Sequence, residues 1–338
     1  MTGDKHVSKT GELIDVSIVV PAYNESENVA DTVERIAATF AGRPERWEVI
    51  LVNDGSTDDT RAVIERLARV DPHVVPAGYA HNTGRGRALR VGFAQARGQI
   101  IVSTDADLSY EPRYILDLVD ALQADQSVDF VLGSPYMPGG GTEGVDPRRL
   151  FISRWGNRVL QTIVNRDIYT FTGIFRAYRR EVLDALELDS DGKEIHLEIL
   201  SRALGAGYRV KEVPAILRSR EKGRSKFRFG GTAVSHLFFS FSERPFLVFG
   251  GLGLLLLVAG LLGGIYVSVL RFEGTLNPGR PLTTLVVILM LAGLQILSFG
   301  FIALQVGVLR REIFKLQREN RLLRRQVRRW IAEEDGSD

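Results

Sequence analysis

Gln99-Ile-Ile-Val-Ser-Thr-Asp-Ala-Asp107 is an apolar run that ends in two carboxylates two residues apart. Its length and its β-branched residues predict a buried strand that ends near Asp105. Two carboxylates that leave a strand together can both approach one hard cation, and Mg²⁺ or Mn²⁺ prefers such oxygen ligands. The run therefore predicts a strand followed by a metal site at Asp105 and Asp107, although Asp107 also suits the start of the next helix as a cap.

Apolar runs of the same kind alternate with segments of helical spacing over the first two thirds of the chain. Strands are predicted at 15–21, 47–53, 73–79, 99–105 and 129–133, and shorter ones near 174–178 and 208–213. Helices are predicted at 27–40, 58–70, 87–96, 112–122, 148–165 and 194–205. This alternation is typical of an α/β domain, here residues 15–226, with a mostly parallel sheet covered by helices on both faces. The Gly/Pro-rich segment 135–147 is predicted to be a long loop.

Polar residues follow the first two predicted strands, where ligands of α/β sheets bind. In Pro21-Ala-Tyr-Asn-Glu25, the Tyr23 ring suits stacking on a base and Glu25 suits a hydrogen bond from a ribose hydroxyl. In Asn53-Asp-Gly-Ser-Thr-Asp58, one residue suffices to cap the next helix. The Asp54 carboxylate is then available to accept a hydrogen bond from a nucleobase or a ribose.

Thr83-Gly-Arg-Gly-Arg87 opens the third predicted helix. Backbone N–H groups at the start of a helix favour phosphate, so Gly84 and Arg87 are expected at the phosphates of a nucleotide. The segment follows the third strand and not the first, which argues against a dinucleotide-binding fingerprint.

Two segments without charge, 245–270 and 281–309, follow the α/β domain. As a helix, the first would extend about 39 Å, more than the ~30 Å hydrocarbon core of a bilayer. Two transmembrane helices are therefore expected, with a buried hairpin of a soluble core as the alternative. Nine Lys or Arg residues lie between Arg310 and Arg329, which places this tail and the α/β domain on the cytosolic face.

Three further segments, outside the α/β domain and the two uncharged segments, also have predicted structures. Residues 1–14 are polar, lack the apolar core of a signal peptide and are expected to be flexible. Residues 227–244 are rich in Phe and predict an interfacial amphipathic helix on the membrane, or else an ordinary core helix.

The tail at 310–333 predicts a basic helix with apolar residues in a seam of period 3.5. The seam consists of Leu309, Ile313, Leu316, Asn320, Leu323, Val327 and Trp330. It favours a coiled coil that joins subunits into a homo-oligomer, with a helix lying on anionic lipid as the alternative.

Overall composition excludes some functions. The chain has 338 residues, no Cys and a formal net charge of +2. Disulfides and thiolate zinc sites are therefore excluded, and the charge gives no support for binding to nucleic acid.

Several motifs together resemble family 2 glycosyltransferases with the GT-A fold. They are Val19-Val-Pro-Ala-Tyr-Asn-Glu25, Val52-Asn-Asp-Gly-Ser-Thr-Asp58, Gly84-Arg-Gly-Arg-Ala-Leu-Arg90 and Thr104-Asp-Ala-Asp-Leu108. The segments Gly139-Gly-Gly141, Thr172-Gly-Ile-Phe-Arg-Ala-Tyr178, Glu198 and Arg220-Glu-Lys-Gly-Arg-Ser-Lys226 narrow the resemblance. They are similar to dolichyl-phosphate mannosyltransferases and related polyprenyl-phosphate hexosyltransferases.

The resemblance implies inverting transfer of a hexose from GDP-mannose or a UDP-hexose to a polyprenyl or dolichyl phosphate. By this resemblance, the nucleoside is held by Pro21, Tyr23, Glu25 and Asp54. Asp105 and Asp107 lie at the metal and the diphosphate. The lipid phosphate is held by Arg149, Ser153, Arg220, Ser225 and Lys226. Arg149 and Arg220 act in catalysis by positioning this anion, which needs no base to deprotonate it. Glu198 is the nearest candidate for a base, with a carboxylate on a helix surface as the alternative.

The sequence departs from the mannosyltransferase pattern at two places. Ser109 stands where a Gln is usual, so the third metal ligand expected here is a serine hydroxyl. Gly133-Ser-Pro-Tyr136 lacks the usual Arg, which weakens the assignment to mannose.

Two other functions compete with this prediction. A processive polysaccharide synthase is suggested by Gln326-Val-Arg-Arg-Trp330, which matches a signature of those enzymes but lies after the last apolar segment. A non-enzymatic nucleotide-sugar-binding scaffold is the other, and the carboxylate pair argues against it.

Overall fold

The computed structural model describes residues 14–163, 167–219, 245–275 and 281–334 of the chain. They form two compact units: one contains the α/β elements up to residue 219 together with residues 318–334, and the other contains the two apolar segments. The expected interfacial helix at 227–244 lies outside the described residues, as do residues 1–13 of the expected flexible N-terminus. The acceptor residues Arg220, Ser225 and Lys226 are outside them too.

The elements of the α/β unit follow the predicted alternation. Its strands are β1 Val16–Ala22, β2 Trp47–Asp54, β3 Val74–Tyr79, β4 Ile100–Ser103, β5 Phe130–Ser134, β6 Gly141–Glu143, β7 Arg176–Arg179, β8 Val210–Pro214 and β9 Ile216–Arg218. Its helices are α1 Val29–Phe40, α2 Thr60–Val70, α3 Arg85–Gln95, α4 Arg113–Ala124, α5 Pro147–Ile163, α6 Arg180–Ala185 and α7 Ile195–Gly205. The elements β6, β9 and α6 were not predicted.

Seven of the strands form one sheet, in the order β3-β2-β1-β4-β7-β5-β8. Strand β7 runs antiparallel to both of its neighbours, β4 and β5, whereas the other pairs are parallel. The prediction of a mostly parallel α/β sheet is confirmed. The parallel arrangement brings the carboxyl ends of β1, β2, β3 and β4 to one edge.

Alternating side chains of the central strands pack on opposite faces of this sheet, as the period of two requires. Ile18 and Val20 belong to a core cluster with residues of α1, α2 and α4. Val19 and Val52 face α3, where Gly92 leaves room for them because a Cβ at that position would collide with Val19. The close fit of α3 fixes the start of that helix at the edge where β1 and β2 end.

The segment 135–147 is not only a loop, because three of its residues form strand β6. Gly141–Glu143 pairs in parallel with Ile216–Arg218 in a separate two-stranded sheet. The partner strand lies far along the chain, so local sequence gives no sign of it.

Two long helices follow, α8 Pro245–Phe272 and α9 Leu282–Glu334, and the second unit contains α8 and the part of α9 up to Gln317. Both contain a stretch long and apolar enough to cross a membrane, Phe249–Phe272 and Leu282–Leu309. Only 11% and 17% of the most apolar windows are buried, which contradicts a buried soluble hairpin. The two backbones approach closely, since a Cβ on Gly253 or Gly293 would collide with the other helix. Helix α9 continues without a break from the second apolar stretch through the basic tail.

Candidate active site

The loops that follow β1 and β2 are tied to each other at the edge of the sheet. Asn24 has a left-handed backbone (φ 52°), and its Oδ1 accepts the N–H of Thr57 at 2.8 Å. Its own N–H donates to Oγ of Ser56 at 3.0 Å. The N–H of Glu25 donates to Oγ1 of Thr60 at 2.8 Å. These bonds fix the positions of the predicted nucleoside residues Tyr23 and Glu25, while Pro21 lies within β1.

Asp54, at the end of β2, has hydrogen-bond partners within the protein that the sequence did not reveal. The residue is 4% exposed, and its carboxylate lies where the loop after β3 folds back. Oδ1 accepts the hydroxyl of Tyr79 at 2.7 Å and the N–H groups of Thr83 and Gly84 at 3.0 and 3.1 Å. Oδ2 accepts Nδ2 of Asn82 at 3.1 Å. Asp54 therefore holds the segment between β3 and α3 against the end of β2.

Tyr79 connects this carboxylate to a cation. Burial and the hydrogen bond to Asp54 raise the pKa of the Tyr79 phenol, so it remains a hydrogen-bond donor at neutral pH. The guanidinium of Arg87 lies over the Tyr79 ring, 4.7 Å from its centroid. This cation–π contact holds Arg87 beside the predicted donor site.

Four backbone N–H groups at the start of α3, where a phosphate was predicted to bind, have acceptors within the protein. Thr83 and Gly84 donate to Asp54, and the N–H groups of Gly86 and Arg87 donate to the carbonyl of Asp191 at 2.7 and 3.3 Å. The loop that carries Asp191 can approach because Gly84 and Gly86 lack a Cβ, which would collide with it. Positive charge at this place comes instead from arginine side chains.

Arg85 contacts the predicted metal site, although the sequence prediction did not select it. Its guanidinium forms an ion pair with Asp105, with Nη2 and Oδ1 2.8 Å apart. Both side chains are partly exposed, at 28% and 19%. The sequence alone does not distinguish the contacts of Arg85 from those of Arg87. The fold shows that Arg85 contacts Asp105 of the carboxylate pair, whereas Arg87 contacts Tyr79.

Asp107 is oriented by the residue two positions further along. Oδ1 of Asp107 accepts both the N–H of Ser109 at 3.0 Å and its hydroxyl at 2.6 Å. Leu108 between them has φ 50°, a strained backbone for a residue with a branched side chain. Asp107 closes this tight turn and does not cap α4, whose first residue is Arg113. The Ser109 hydroxyl, predicted to be a metal ligand, donates to Asp107.

The residues at this turn fit a divalent cation that also binds substrate. Among the described residues, no group of three or more His, Asp or Glu side chains is placed to hold a metal ion alone. Mg²⁺ is often bound by one or two carboxylates, with water and substrate phosphates completing its coordination. Asp105 and Asp107 supply such a pair.

Strand β9 contacts the same turn. The N–H of Arg218 donates to the carbonyl of Ser109 at 2.8 Å, and Leu217 forms a β-bridge with Tyr110. Arg218 also forms ion pairs with Glu143 and Glu111 at 2.9 and 3.3 Å. Leu217 and Arg218, which precede the predicted acceptor residue Arg220 in the chain, therefore lie beside the turn that contains Asp107 and Ser109.

Helix α5 carries two of the predicted acceptor residues, Arg149 and Ser153. Oγ of Ser153 accepts the hydroxyl of Tyr136 at 2.7 Å. Oδ1 of Asn157 accepts the N–H of Phe171 at 2.8 Å, which joins α5 to the segment before β7. The side chain of Arg149 is outside the described part of the structure.

Two buried charged residues support the segments around the site. Glu198 is 7% exposed and is therefore not on a helix surface as the alternative prediction had it. Its oxygens accept the N–H groups of Asp189 and Ser190, and it pairs with Arg202 at 2.8 Å. Arg176, which the sequence did not single out, is 1% exposed and donates to the carbonyls of Phe171, Gly173 and His196. Both residues hold loops and helices in position.

This arrangement of sheet and loops has a counterpart among solved structures. Glucosyl-3-phosphoglycerate synthase from Mycobacterium tuberculosis, in complex with Mn²⁺, UDP and glucosyl-3-phosphoglycerate, matches with a TM-score of 0.53 at 18% identity. The match covers 68% of this chain and 79% of that one. The α/β unit therefore has the GT-A glycosyltransferase fold.

The chain belongs to glycosyl transferase family 2, whose sequence pattern matches residues 17–187. It is 34% identical to polyprenol monophosphomannose synthase of Mycolicibacterium smegmatis over 67% of this chain and 85% of that protein. It is 28% identical to undecaprenyl-phosphate 4-deoxy-4-formamido-L-arabinose transferase of Proteus mirabilis over 86% of this chain and 88% of that protein. The resemblance given by the sequence motifs is thereby confirmed.

Proposed function

We propose that this protein transfers a hexose from a nucleoside-diphosphate sugar to a polyprenyl phosphate at the cytosolic surface of a membrane. The observation that carries the proposal is the hydrogen bond between the Arg218 N–H and the Ser109 carbonyl. It joins the strand that leads into the cationic segment Arg220–Lys226 to the turn that contains the carboxylate pair. A donor diphosphate and an acceptor phosphate can therefore be held next to each other.

On the donor side, Pro21, Tyr23, Glu25 and Asp54 form the nucleoside end of the site. Asp54 acts by holding the loop before α3, since its carboxylate already accepts four protein donors. Gly84 shapes that loop, and Arg87 adds positive charge near the phosphates. A bound Mg²⁺ or Mn²⁺ would be held by Asp105 and Asp107 and would neutralise charge on the leaving diphosphate. Ser109 keeps the Asp107 carboxylate in one orientation.

On the acceptor side, Arg149, Ser153, Arg220, Ser225 and Lys226 hold the lipid phosphate. A phosphate is anionic at neutral pH, so its oxygen can attack the anomeric carbon without a general base. The bond between that carbon and the donor diphosphate breaks as the new bond forms, which inverts the configuration. The buried contacts of Glu198 with backbone N–H groups agree with a reaction that needs no carboxylate base.

The names of the relatives support a polyprenyl-phosphate acceptor but differ in the sugar. One is a monophosphomannose synthase and the other transfers a modified arabinose. A panel of GDP-mannose, UDP-glucose and UDP-N-acetylglucosamine, each with polyprenyl phosphate and Mg²⁺ or Mn²⁺, tests the proposal. We expect one donor to give a sugar-phosphate lipid with a single sugar. Growth of a chain of sugars would favour a processive synthase instead.

Removal of the metal tests the role of the carboxylate pair. We expect EDTA to abolish transfer and added Mg²⁺ or Mn²⁺ to restore it. Full activity after rigorous chelation would contradict a metal site at Asp105 and Asp107.

The membrane orientation is part of the proposal. The positive charge of the tail favours the cytosolic side for the tail and for the α/β unit. The connection between α8 and α9 is then on the opposite side of the membrane. Because the chain has no Cys, Glu273→Cys and Glu312→Cys each introduce a single thiol. We expect an impermeant maleimide to label position 273 from outside intact cells and position 312 only after lysis. The reverse pattern would contradict the orientation.

We also propose that the tail joins subunits. Ile313, Leu316 and Leu323 of the predicted seam are 45%, 62% and 60% exposed in the single chain. Another copy in parallel would bury them, and the unbroken helix α9 would present both copies in register. The test is light scattering in detergent after truncation behind Arg311, alongside Asn320→Leu. If the truncated protein keeps the full-length mass, the tail lies on anionic lipid instead.

A further inference from the structure

The two carboxylates of the predicted metal site are restrained in different ways. Asp107 is 8% exposed, and its Oδ1 accepts both the N–H and the hydroxyl of Ser109. Leu108, with its left-handed backbone, closes the turn between them. Asp105 instead forms an ion pair with the guanidinium of Arg85, and its side chain is 19% exposed. Asp107 is thus held within its own turn, whereas Asp105 is held by a side chain from the start of α3.

The backbone on both sides of Arg85 is fixed. Two N–H groups of the segment 83–87 donate to the carboxylate of Asp54, and two others donate to the carbonyl of Asp191. The glycines of this segment let the loop with Asp191 pack closely, because a Cβ at either of them would collide with that loop. The segment therefore cannot shift as a whole relative to Asp105, and a change at Arg85 is confined to its side chain.

The side chain of Arg85 can exchange its partner at small cost. Both members of the ion pair with Asp105 are partly exposed, and such pairs contribute little to stability. Arg87, two residues further along, instead lies over the ring of Tyr79. Arg85 is therefore a cation that can leave the carboxylate of Asp105 while its own backbone stays in place.

We propose that Arg85 couples binding of the divalent cation to binding of the donor diphosphate. The cation and the Arg85 guanidinium both require the carboxylate of Asp105, and two positive charges at one carboxylate repel each other. When Asp105 binds the cation, Arg85 is released, and the diphosphate that shares the cation becomes its new anionic partner. The planar guanidinium suits this partner because it can donate two parallel hydrogen bonds to a phosphate. The inference rests on the proposed function, which brings cation and diphosphate to this site.

This exchange of partners gives effects of opposite sign on the two ligands. Without nucleotide, Arg85 competes for Asp105 and weakens binding of the divalent cation. With nucleotide, Arg85 strengthens binding of the diphosphate. Coupling between two ligands is reciprocal, so the nucleotide strengthens binding of the cation by the same factor as the cation strengthens binding of the nucleotide. Arg85 thereby favours the complete donor complex over the protein with cation alone.

Arg85→Gln in the full-length protein in detergent tests the coupling. Free Mn²⁺ is measured by electron paramagnetic resonance, with and without GDP or UDP, and nucleotide binding is measured by calorimetry. Without nucleotide, we expect the variant to bind Mn²⁺ roughly fivefold more tightly than the wild type, the scale of one partly exposed ion pair. With Mn²⁺ present, we expect it to bind the nucleoside diphosphate roughly tenfold or more weakly, the scale of one charge-assisted hydrogen bond.

Three further variants separate the ion pair from other effects. Arg87→Gln is the matched control, because it removes the same charge two residues away and leaves the ion pair of Arg85 with Asp105 in place. It should weaken nucleotide binding without tightening the binding of Mn²⁺. Arg85→Lys keeps the positive charge and should bind Mn²⁺ nearly as the wild type does. Asp107→Asn identifies the Mn²⁺ that is bound at the carboxylate pair, since that binding should be lost.

The two binding measurements decide the outcome. Unchanged Mn²⁺ affinity in Arg85→Gln would overturn the proposal, and so would weaker binding of both ligands, because Arg85 would then only support the structure of the site. Wild-type protein that binds no Mn²⁺ at the carboxylate pair, or neither nucleotide, would overturn it as well. If the effects of opposite sign are found but no sugar reaches polyprenyl phosphate, the coupling stands and only the proposed transfer fails.

Discussion

The donor half and the acceptor half of the active site are held together in different ways. Around the ends of β1, β2 and β3, the loops are fixed by hydrogen bonds to buried groups, above all the carboxylate of Asp54. On the acceptor side, the three-residue strands β6 and β9 form a separate two-stranded sheet, with one further bridge from Leu217 to Tyr110. Ion pairs of Arg218 with partly exposed partners add to that pairing.

This difference indicates how each half meets its substrate. A site whose loops are already bonded loses little conformational freedom when it binds, so the donor half is suited to a small, well-defined nucleotide. Exposed ion pairs contribute little and exchange easily with water. The acceptor half can therefore rearrange around a lipid that enters from the membrane.

The largest effect should come from the carboxylate pair at the boundary of the two halves. Asp105→Asn or Asp107→Asn removes a negative ligand of the metal, which supplies several kcal/mol of stabilisation to the transition state, so transfer should fall roughly a thousandfold or more. Steady-state rates measure this. Asp59→Asn, an exposed residue at the start of α2 without a side-chain cap bond, is the control and should retain activity. Near-normal rates in either site variant would refute the assignment.

Next in size is the effect of loosening the donor half. Asp54→Asn replaces an acceptor of four hydrogen bonds with a group that is itself a donor, and it should lower the free energy of unfolding by about 2–3 kcal/mol. Donor affinity should fall with it, because the loop before α3 loses its anchor. Thermal unfolding with and without nucleotide measures both effects. Tyr79→Phe, which removes one of these bonds, should show a smaller loss of the same kind.

Removing a cation from the acceptor half should affect only the lipid substrate. Arg149→Ala or Arg220→Ala loses a charge-assisted hydrogen bond to phosphate, which corresponds to roughly a tenfold to hundredfold weaker use of the acceptor. Titration of each substrate separately shows whether donor binding is unchanged. A matched loss for donor and acceptor would mean that the two halves do not divide the substrates as proposed.

The smallest effect should follow from a surface ion pair of the acceptor half. Glu143→Gln removes one of the two ion-pair partners of Arg218, and both side chains are well exposed, so little or no change in melting temperature is expected. Comparison with Asp54→Asn in the same assay tests the contrast directly. A loss of stability as large as that of Asp54→Asn would show that the acceptor half is as firmly built as the donor half.

Sequence patterns predicted the strands and helices that can be recognised from the residues of a single segment. Apolar runs that end in polar residues identified β1, β2 and β4. The apolar part of such a run indicates a buried strand, and its polar end indicates the edge of the sheet where ligands bind. Strand β7 was harder, since it carries Arg176 and Arg179, whose charges are satisfied by backbone carbonyls from other segments. Its antiparallel direction depends on the path of the chain and not on its residues.

Within the candidate site, several contacts could not be predicted from the sequence. Asp54 was expected to contact the ligand, whereas its partners Tyr79, Asn82 and Thr83 come from a loop that local sequence does not connect to it. The ion pair of Arg85 with Asp105 likewise depends on how α3 packs. Hydrogen-bond partners that are distant in the chain are fixed only by tertiary structure.

The place of β5 in the sheet has a consequence for the order of folding. Strands β1 to β4 can pair with one another as soon as they are synthesised, whereas β5 pairs only with β7 and β8, which come later in the chain. Until Arg176–Arg179 has emerged, β4 presents one open edge and β5 has no partner at all. The four strands β1 to β4 can therefore pair first, and a nascent chain that stalls before β7 exposes strand edges of the kind from which aggregation begins.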